Sequence, residues 1–214
     1  MPQPIILTEK MKRKAITDFK QLLNNTMHNG VISYNETFTT EAEKAILWFT
    51  PRAYHKTTAL INGFDKEVGW HGIVSRIEGT SNEYLIEDII VFPQDVTSVT
   101  VDTKQAEYSK WLYSFDDDIF EKIRMQSHSH CNMGVTPSKT DDEHRQAIVS
   151  QLNTDKFYIF MIWNKSLSVH ALIYDMAINT LFETDDIEIR IHESEDIAAF
   201  LADAKSKVRG CERR

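Results

Sequence analysis

Cysteine is scarce in this sequence, with only Cys131 and Cys211 among 214 residues. Two thiols this few and this far apart do not make a disulfide scaffold. Glycine and proline are also few, at seven and five, and with 42% hydrophobic residues that excludes a collagenous or disordered chain. No apolar run approaches the ~18 residues a membrane helix requires. The opening Met1-Pro-Gln-Pro-Ile-Ile-Leu7 lacks a basic stretch ahead of an apolar one, so no signal peptide is read there, and a soluble cytoplasmic protein is expected. Positive charge is the minority, with 24 Lys and Arg against 32 Asp and Glu and a net charge of −8. That balance argues against a sequence-independent nucleic-acid binder, whose affinity rests on neutralising phosphates. Two basic clusters, Lys10 to Lys14 and Lys205 to Arg214, fall in segments with helical spacing and read as solvated faces.

What is present is an interleaving of strand and helix signals. Residues 8–27 carry apolar side chains at three- and four-residue intervals, an amphipathic helix ended by Asn29-Gly30. Val31 to Phe38 alternates weakly, as a short strand does. Ala45 to Phe49 suits a buried strand, and Pro51 opens a helix that Asn62-Gly63 stops. Glu67 to Ile77 and Tyr84 to Phe92 form a hairpin around Glu78–Asn82. Helical spacing predicts one helix over Asp102–Ile123, an extended run over Ile123–Ser129 and a short helix over Thr140–Leu152. A second hairpin follows around Asn164-Lys165-Ser166, then an alternating strand at Ile187–Ile191 and an amphipathic helix over Ile197–Val208. The fold class expected is mixed α/β, with a partly antiparallel sheet flanked by helices. The expected organisation is a helical extension over 1–44, one domain over 45–190 and a C-terminal helix over 191–214.

The segment that carries chemistry is Ser127-His-Ser-His-Cys-Asn-Met-Gly-Val-Thr-Pro-Ser-Lys-Thr-Asp141. His128 and His130 are two apart in a run entering from a strand, so both imidazoles leave one face and can share a cation. Gly134 and Pro137 then turn the chain. Ser138 stands where a helix begins, and Asp141 falls in its first turn, where a carboxylate can reach back to the histidines. Two imidazole nitrogens and one carboxylate oxygen make a three-ligand zinc set that leaves a fourth position open. Glu67 is the candidate proton acceptor, at the start of a strand whose Glu67, Gly69 and His71 share a face. Ser138 would donate its hydroxyl to a developing oxyanion. The same Ser-x-x-Asp spacing is also a helix-capping signal.

The pattern His128-x-His130-x7-Ser138-x2-Asp141, with Glu67-Val-Gly-Trp upstream, resembles the JAMM/MPN+ (JAB domain) zinc metalloproteases, over about residues 45–190. The resemblance implies a JAMM/MPN, cytidine-deaminase-like architecture with zinc on His128, His130 and Asp141. It implies Glu67 as general acid/base and Ser138 as the group stabilising the tetrahedral intermediate. It further implies cleavage of peptide or isopeptide bonds at the C-terminus of a ubiquitin-like protein, the expected partner, whose tail would lie in the active-site groove. The alternative is a non-catalytic MPN-like adaptor in a larger complex. Many members have proline after the second histidine, where this chain has Cys131. The His-x-Glu and Pro-Cys-x-x-Cys of the zinc nucleobase deaminases are absent, as is His-Glu-x-x-His.

Other residues read more plainly. Cys131 is a small buried side chain before it is a fourth ligand or redox switch. His71 reads as a satisfied strand histidine, and His144 either as a group supporting the ligands or as a solvated helix residue. Trp70, Trp111 and Trp163 belong to the core.

Overall fold

The computed structural model describes residues 1–25, 31–96, 101–102, 104–131 and 134–192. The expected helix over 197–208 and the turn at Asn29-Gly30 lie outside them. The order of elements is β1 (Gln3–Pro4), α1 (Glu9–Asn25), β2 (Ala45–Phe49), α2 (Pro51–Gly63), β3 (Gly69–Arg76) and β4 (Glu83–Ile90). A two-strand ribbon of β5 (Asp95–Val96) and β6 (Val101–Asp102) leads to α3 (Gln105–Leu112) and α4 (Asp117–Glu121). Then come β7 (Ile123–His130), α5 (Lys139–Val149), β8 (Phe157–Asn164), β9 (Val169–Asp175), β10 (Thr180–Glu183) and β11 (Ile187–Ile191).

Nine strands join in one mixed sheet in the order β1-β10-β9-β8-β7-β3-β4-β2-β11. The pairs β2/β4, β2/β11 and β7/β8 are parallel and the remainder antiparallel, so the fold is α/β with the mixed sheet the interleaved pattern predicts. The parallel pair β7/β8 is connected through α5, as parallel strands require a crossover.

One face of the sheet carries the core. Ala45, Leu47 and Phe49 from β2, Trp70 and Val74 from β3, Met125 from β7, and Ile159, Met161 and Trp163 from β8 are buried together. Helix α2 covers them with Ala53, Thr57 and Ile61. Thr50 caps that helix by accepting from Ala53 N–H, ahead of Pro51 in its first turn. The strands β3 and β7 approach closely at Gly72: a Cβ placed there would lie 2.6 Å from Met125 Cε and 3.0 Å from Met125 Cβ. Gly79 turns the β3–β4 hairpin at φ 81°, in the left-handed region open to glycine.

Three expectations are corrected. Val31 to Phe38 forms no strand: its alternate residues are half-buried, but it lies along α1, with Tyr34 against Phe19, and no strand pairs with it among the described residues. The single helix expected over 102–123 is two helices, because the chain turns at Tyr113–Phe115 and Asp116 begins α4, whose first turn takes Asp117 and Asp118. The strand expected from Glu67 begins at Gly69, so Glu67 sits two residues ahead of it.

Candidate metal centre

The end of β7 and the start of α5 bring the predicted ligands together. Alternation along β7 turns Met125, Ser127 and Ser129 into the core and His128 and His130 to the opposite face. Their Nε2 atoms face one another 3.1 Å apart. His130 Nδ1 donates to the Gly134 carbonyl at 2.6 Å, which fixes the tautomer and leaves its Nε2 lone pair free. Ser138 caps α5 in a full capping box: its Oγ accepts from Asp141 N–H at 3.2 Å, and Asp141 Oδ2 accepts from Ser138 N–H at 2.7 Å. That pins one carboxylate oxygen and leaves Asp141 Oδ1 3.6 Å from His128 Nε2.

The three ligand atoms lie within 4.8 Å of one another. Four-coordinate zinc with bonds of about 2.1 Å separates its ligand atoms by about 3.4 Å. Two of the gaps, 3.1 and 3.6 Å, straddle that edge and the third, between His130 and Asp141, is wider but within 4.8 Å, so the group could hold a divalent ion once its side chains draw in around it. Protonation states fit as well. Burial pushes His128 down to about 4, against the pull of Asp141, so it is neutral near pH 7, as a metal ligand must be. Burial raises the Asp141 carboxyl, but the Ser138 hydrogen bonds and the two histidines outweigh it and hold it below the usual range.

Glu67 is buried beside this group, 5% exposed. Desolvation raises its carboxyl above the ordinary value; Asp141 adds to the rise and His130 opposes it. The segment that follows it is tied to β7 through Ser129, whose Oγ accepts from Val68 N–H at 3.2 Å and whose N–H donates to Val68 O at 2.9 Å. Gly69 pairs directly with His128 across the strands. Sequence reasoning did not single out Ser129, although it stands between the two histidines, nor Gln94, which bonds the Gly69 backbone.

The other candidates separate. Cys131 is buried, its thiol pushed up chiefly by burial, and the converging ligand atoms come from His128, His130 and Asp141 without it. His71 lies away from the ligands under α3, where Nδ1 donates to Met125 O at 3.1 Å and Nε2 accepts from the Tyr108 hydroxyl at 2.9 Å. His144 donates from Nε2 to Gln126 Oε1 at 2.8 Å on the ligand face of β7. Trp70 and Trp163 are in the core, and Trp111 is half-buried against His71 and Phe115. A cleft opens from His128 and Asp141 and runs beneath α5 toward Arg145. No described helix is long and apolar enough to cross a membrane.

No protein-family model matches the chain. No curated protein matches it either. Among solved structures, the chain is similar to the solution structure of a structural-genomics target from Desulfitobacterium hafniense. The two are 14% identical, the match covers 69% of this chain and 94% of that one, and the TM-score is 0.44.

Proposed function

We propose that this protein is a zinc-dependent hydrolase with JAMM/MPN architecture that cuts a peptide or isopeptide bond at the C-terminus of a ubiquitin-like protein in the cytoplasm. The observation that carries the proposal is the convergence of His128 Nε2, His130 Nε2 and Asp141 Oδ1, with the buried Glu67 in the same electrostatic neighbourhood. The chemistry of the donor set, two neutral imidazoles and one carboxylate, favours zinc over the oxygen-seeking magnesium or calcium.

His128, His130 and Asp141 would hold the ion. When bound, zinc supplies a Lewis acid that makes water nucleophilic near neutral pH and polarises a carbonyl. The remaining work falls to the protein. Glu67, with its carboxyl raised by burial, accepts a proton from the attacking water and returns it to the departing nitrogen. Ser138 uses its oxygen lone pair as the cap of α5, which leaves its O–H to donate to the carbonyl oxygen as charge develops there. Asp141 keeps one oxygen for the ion because the Ser138 backbone N–H holds the other.

The test joins metal content with turnover. Elemental analysis is expected to find one zinc per chain in the wild type and in Glu67→Gln, and none in Asp141→Ala. Turnover of ubiquitin-like proteins extended at their C-termini is expected to fall by about 10²–10⁴ in Glu67→Gln. Equal rates in that variant would sink the assignment of Glu67. Stoichiometric zinc with no turnover on any such fusion would favour a binding module in place of an enzyme.

A further inference from the structure

The cleft beneath α5 begins at the ligand group. Its lining takes in His128 and Asp141 but neither His130 nor Glu67, so it leaves the site on the side of His128. The floor is Phe160 and Ile162 of β8 with Leu172 of β9, and Pro137, just ahead of α5, completes the wall. These four side chains give the cleft a largely apolar surface. Its volume is about 40 Å³. An apolar cavity of about 150 Å³ holds a benzene ring, so this cleft has room for a carbon or two and none for an aromatic side chain.

The polar groups around it are engaged elsewhere. Gln126 Oε1 accepts from His144 Nε2 at 2.8 Å, and His170 Nδ1 bonds Thr184 Oγ1 at 3.2 Å. Burial lowers both histidines, so both are uncharged near pH 7. Arg145 gives Nη2 to Asp142 at 2.9 Å and hydrogen-bonds Tyr174, while its Nε is buried out of reach of the cleft. Asp141 is turned to the histidines, its second oxygen held by the Ser138 N–H. A polar occupant would therefore give up its water with little to replace it, whereas an apolar one gains by leaving water.

We infer that this cleft is a specificity pocket for one short aliphatic side chain, that of the residue whose carbonyl is attacked. The choice of residue rests on the hydrolase reading. Glu67 returns its proton to the departing nitrogen, so the departing part lies toward Glu67 and the residue that keeps the carbonyl extends toward the cleft. The preference for a short aliphatic group stands on the lining and the volume alone. Each carbon buried there tightens binding about fourfold until the cleft is full.

The experiment brings two sets of probes to methyl-labelled protein. Xenon, a compact apolar atom, is dissolved under pressure with and without zinc, and the methyl resonances of Ile162 and Leu172 are followed by NMR. The N-acetylated hydroxamates of glycine, alanine, 2-aminobutyric acid and phenylalanine are then titrated into zinc-loaded protein. Xenon is expected to shift both residues' methyls whether or not zinc is bound. The alanine and 2-aminobutyric acid hydroxamates are expected to bind about fourfold and about fifteenfold more tightly than the glycine one. The phenylalanine hydroxamate is expected to bind no more tightly than the glycine one. Leu172→Phe, which fills the cleft, is expected to flatten the series with zinc content unchanged. Leu172→Ala, which enlarges the cleft, is expected to move the optimum to a longer side chain. Affinities independent of the side chain, a series unmoved in both variants, or methyls that xenon does not shift would each overturn the proposal. Protein that binds no zinc would end the hydrolase reading instead, and the xenon shifts, read without the ion, would still decide whether the cleft admits an apolar group.

Discussion

Gln94 grips the backbone of Gly69 from both sides: its Oε1 accepts from Gly69 N–H at 2.7 Å, and its Nε2 donates to Gly69 O at 2.8 Å. A side-chain amide is replacing a strand neighbour. β4 pairs with β3 only as far as His71 and Ile90, so Gly69, the first residue of β3, would otherwise present open backbone groups on that edge. Glu67 is two residues from the bonded glycine. Gln94→Ala is therefore expected to cost about 1–2 kcal/mol of stability and to speed amide exchange at Gly69 by about tenfold, read by NMR. Gln94→Glu keeps the acceptor but sets a carboxylate against Gly69 O, and it is expected to restore little. Protection of Gly69 unchanged in Gln94→Ala would show that the bond holds nothing in place.

The capping box gives Ser138 two separable jobs. As the cap it accepts from Asp141 N–H, and its loss is worth about 1 kcal/mol. The bond that orients the Asp141 carboxylate comes instead from the Ser138 backbone, which any residue but proline supplies. Ser138→Ala is thus expected to keep its zinc, to lose about 1 kcal/mol in urea unfolding, and to lose about 10²–10³ in turnover. Ser138→Thr, with the hydroxyl intact, is expected to recover the stability. A Ser138→Ala protein that loses zinc would show that the hydroxyl, and not the backbone, orders the aspartate.

The parts of the fold written in local chemistry are those the sequence made legible. The histidine pair follows from the two-residue strand period, and the approach of Asp141 follows from a helix start that its own capping residues announce. Thr50-Pro51 and the Gly79 turn likewise mark their elements by backbone preference. Elements decided by distant partners were not legible. Residues 31–38 alternate like a strand, yet a strand exists only where a neighbour completes its ladder. β10 is four residues long and pairs on one side with the two residues of β1, which come from the other end of the chain. The helical period over 102–123 runs through the break at Tyr113–Phe115 because both helices rest apolar side chains on the body, and periodicity does not register a turn between them. Gln94 carries no local signal, since it matters through Gly69, far away in sequence.

Asp175 anchors a buried charge network on the core side. It is fully buried, accepts from Arg76 Nη2 at 2.6 Å and from the Tyr84 hydroxyl, and takes Ala177 N–H at 3.1 Å on its other oxygen. Burial, then the neighbouring aspartate, pushes the Tyr84 phenol well above its ordinary value, so it remains a donor. Removing one member of such a network strands the others, which costs about 3–5 kcal/mol. Asp175→Ala is expected to lower the urea midpoint accordingly. The double variant Asp175→Leu, Arg76→Met removes both charges and is expected to recover more than half of that loss. A single variant within 1 kcal/mol of wild type would mean that the pair behaves as a surface salt bridge.

His71 makes the protein's stability depend on pH. Its ring is 3% exposed among Phe92, Tyr108 and Trp111, and burial lowers its pKa from 6.5 to about 4. Both nitrogens are committed, Nδ1 as donor to Met125 O and Nε2 as acceptor from Tyr108. A second proton would break the Tyr108 bond and bury a charge. Between pH 6.5 and 4 the unfolded chain therefore binds a proton that the folded chain refuses, and stability falls as the pH falls through that window. The stability is undiminished above 6.5, and about 3 kcal/mol of it has been lost by pH 4. His128 is lowered in the same direction, so the measurement compares slopes and not single values. With chelator present throughout, His71→Gln is expected to reduce the slope of unfolding free energy against pH across this window, whatever its stability at pH 8. Tyr108→Phe, which frees Nε2, is expected to shift the His71 resonance midpoint upward in an NMR titration. Parallel pH curves for wild type and His71→Gln would place the acid sensitivity in the other histidines that burial lowers, His128, His144 and His170.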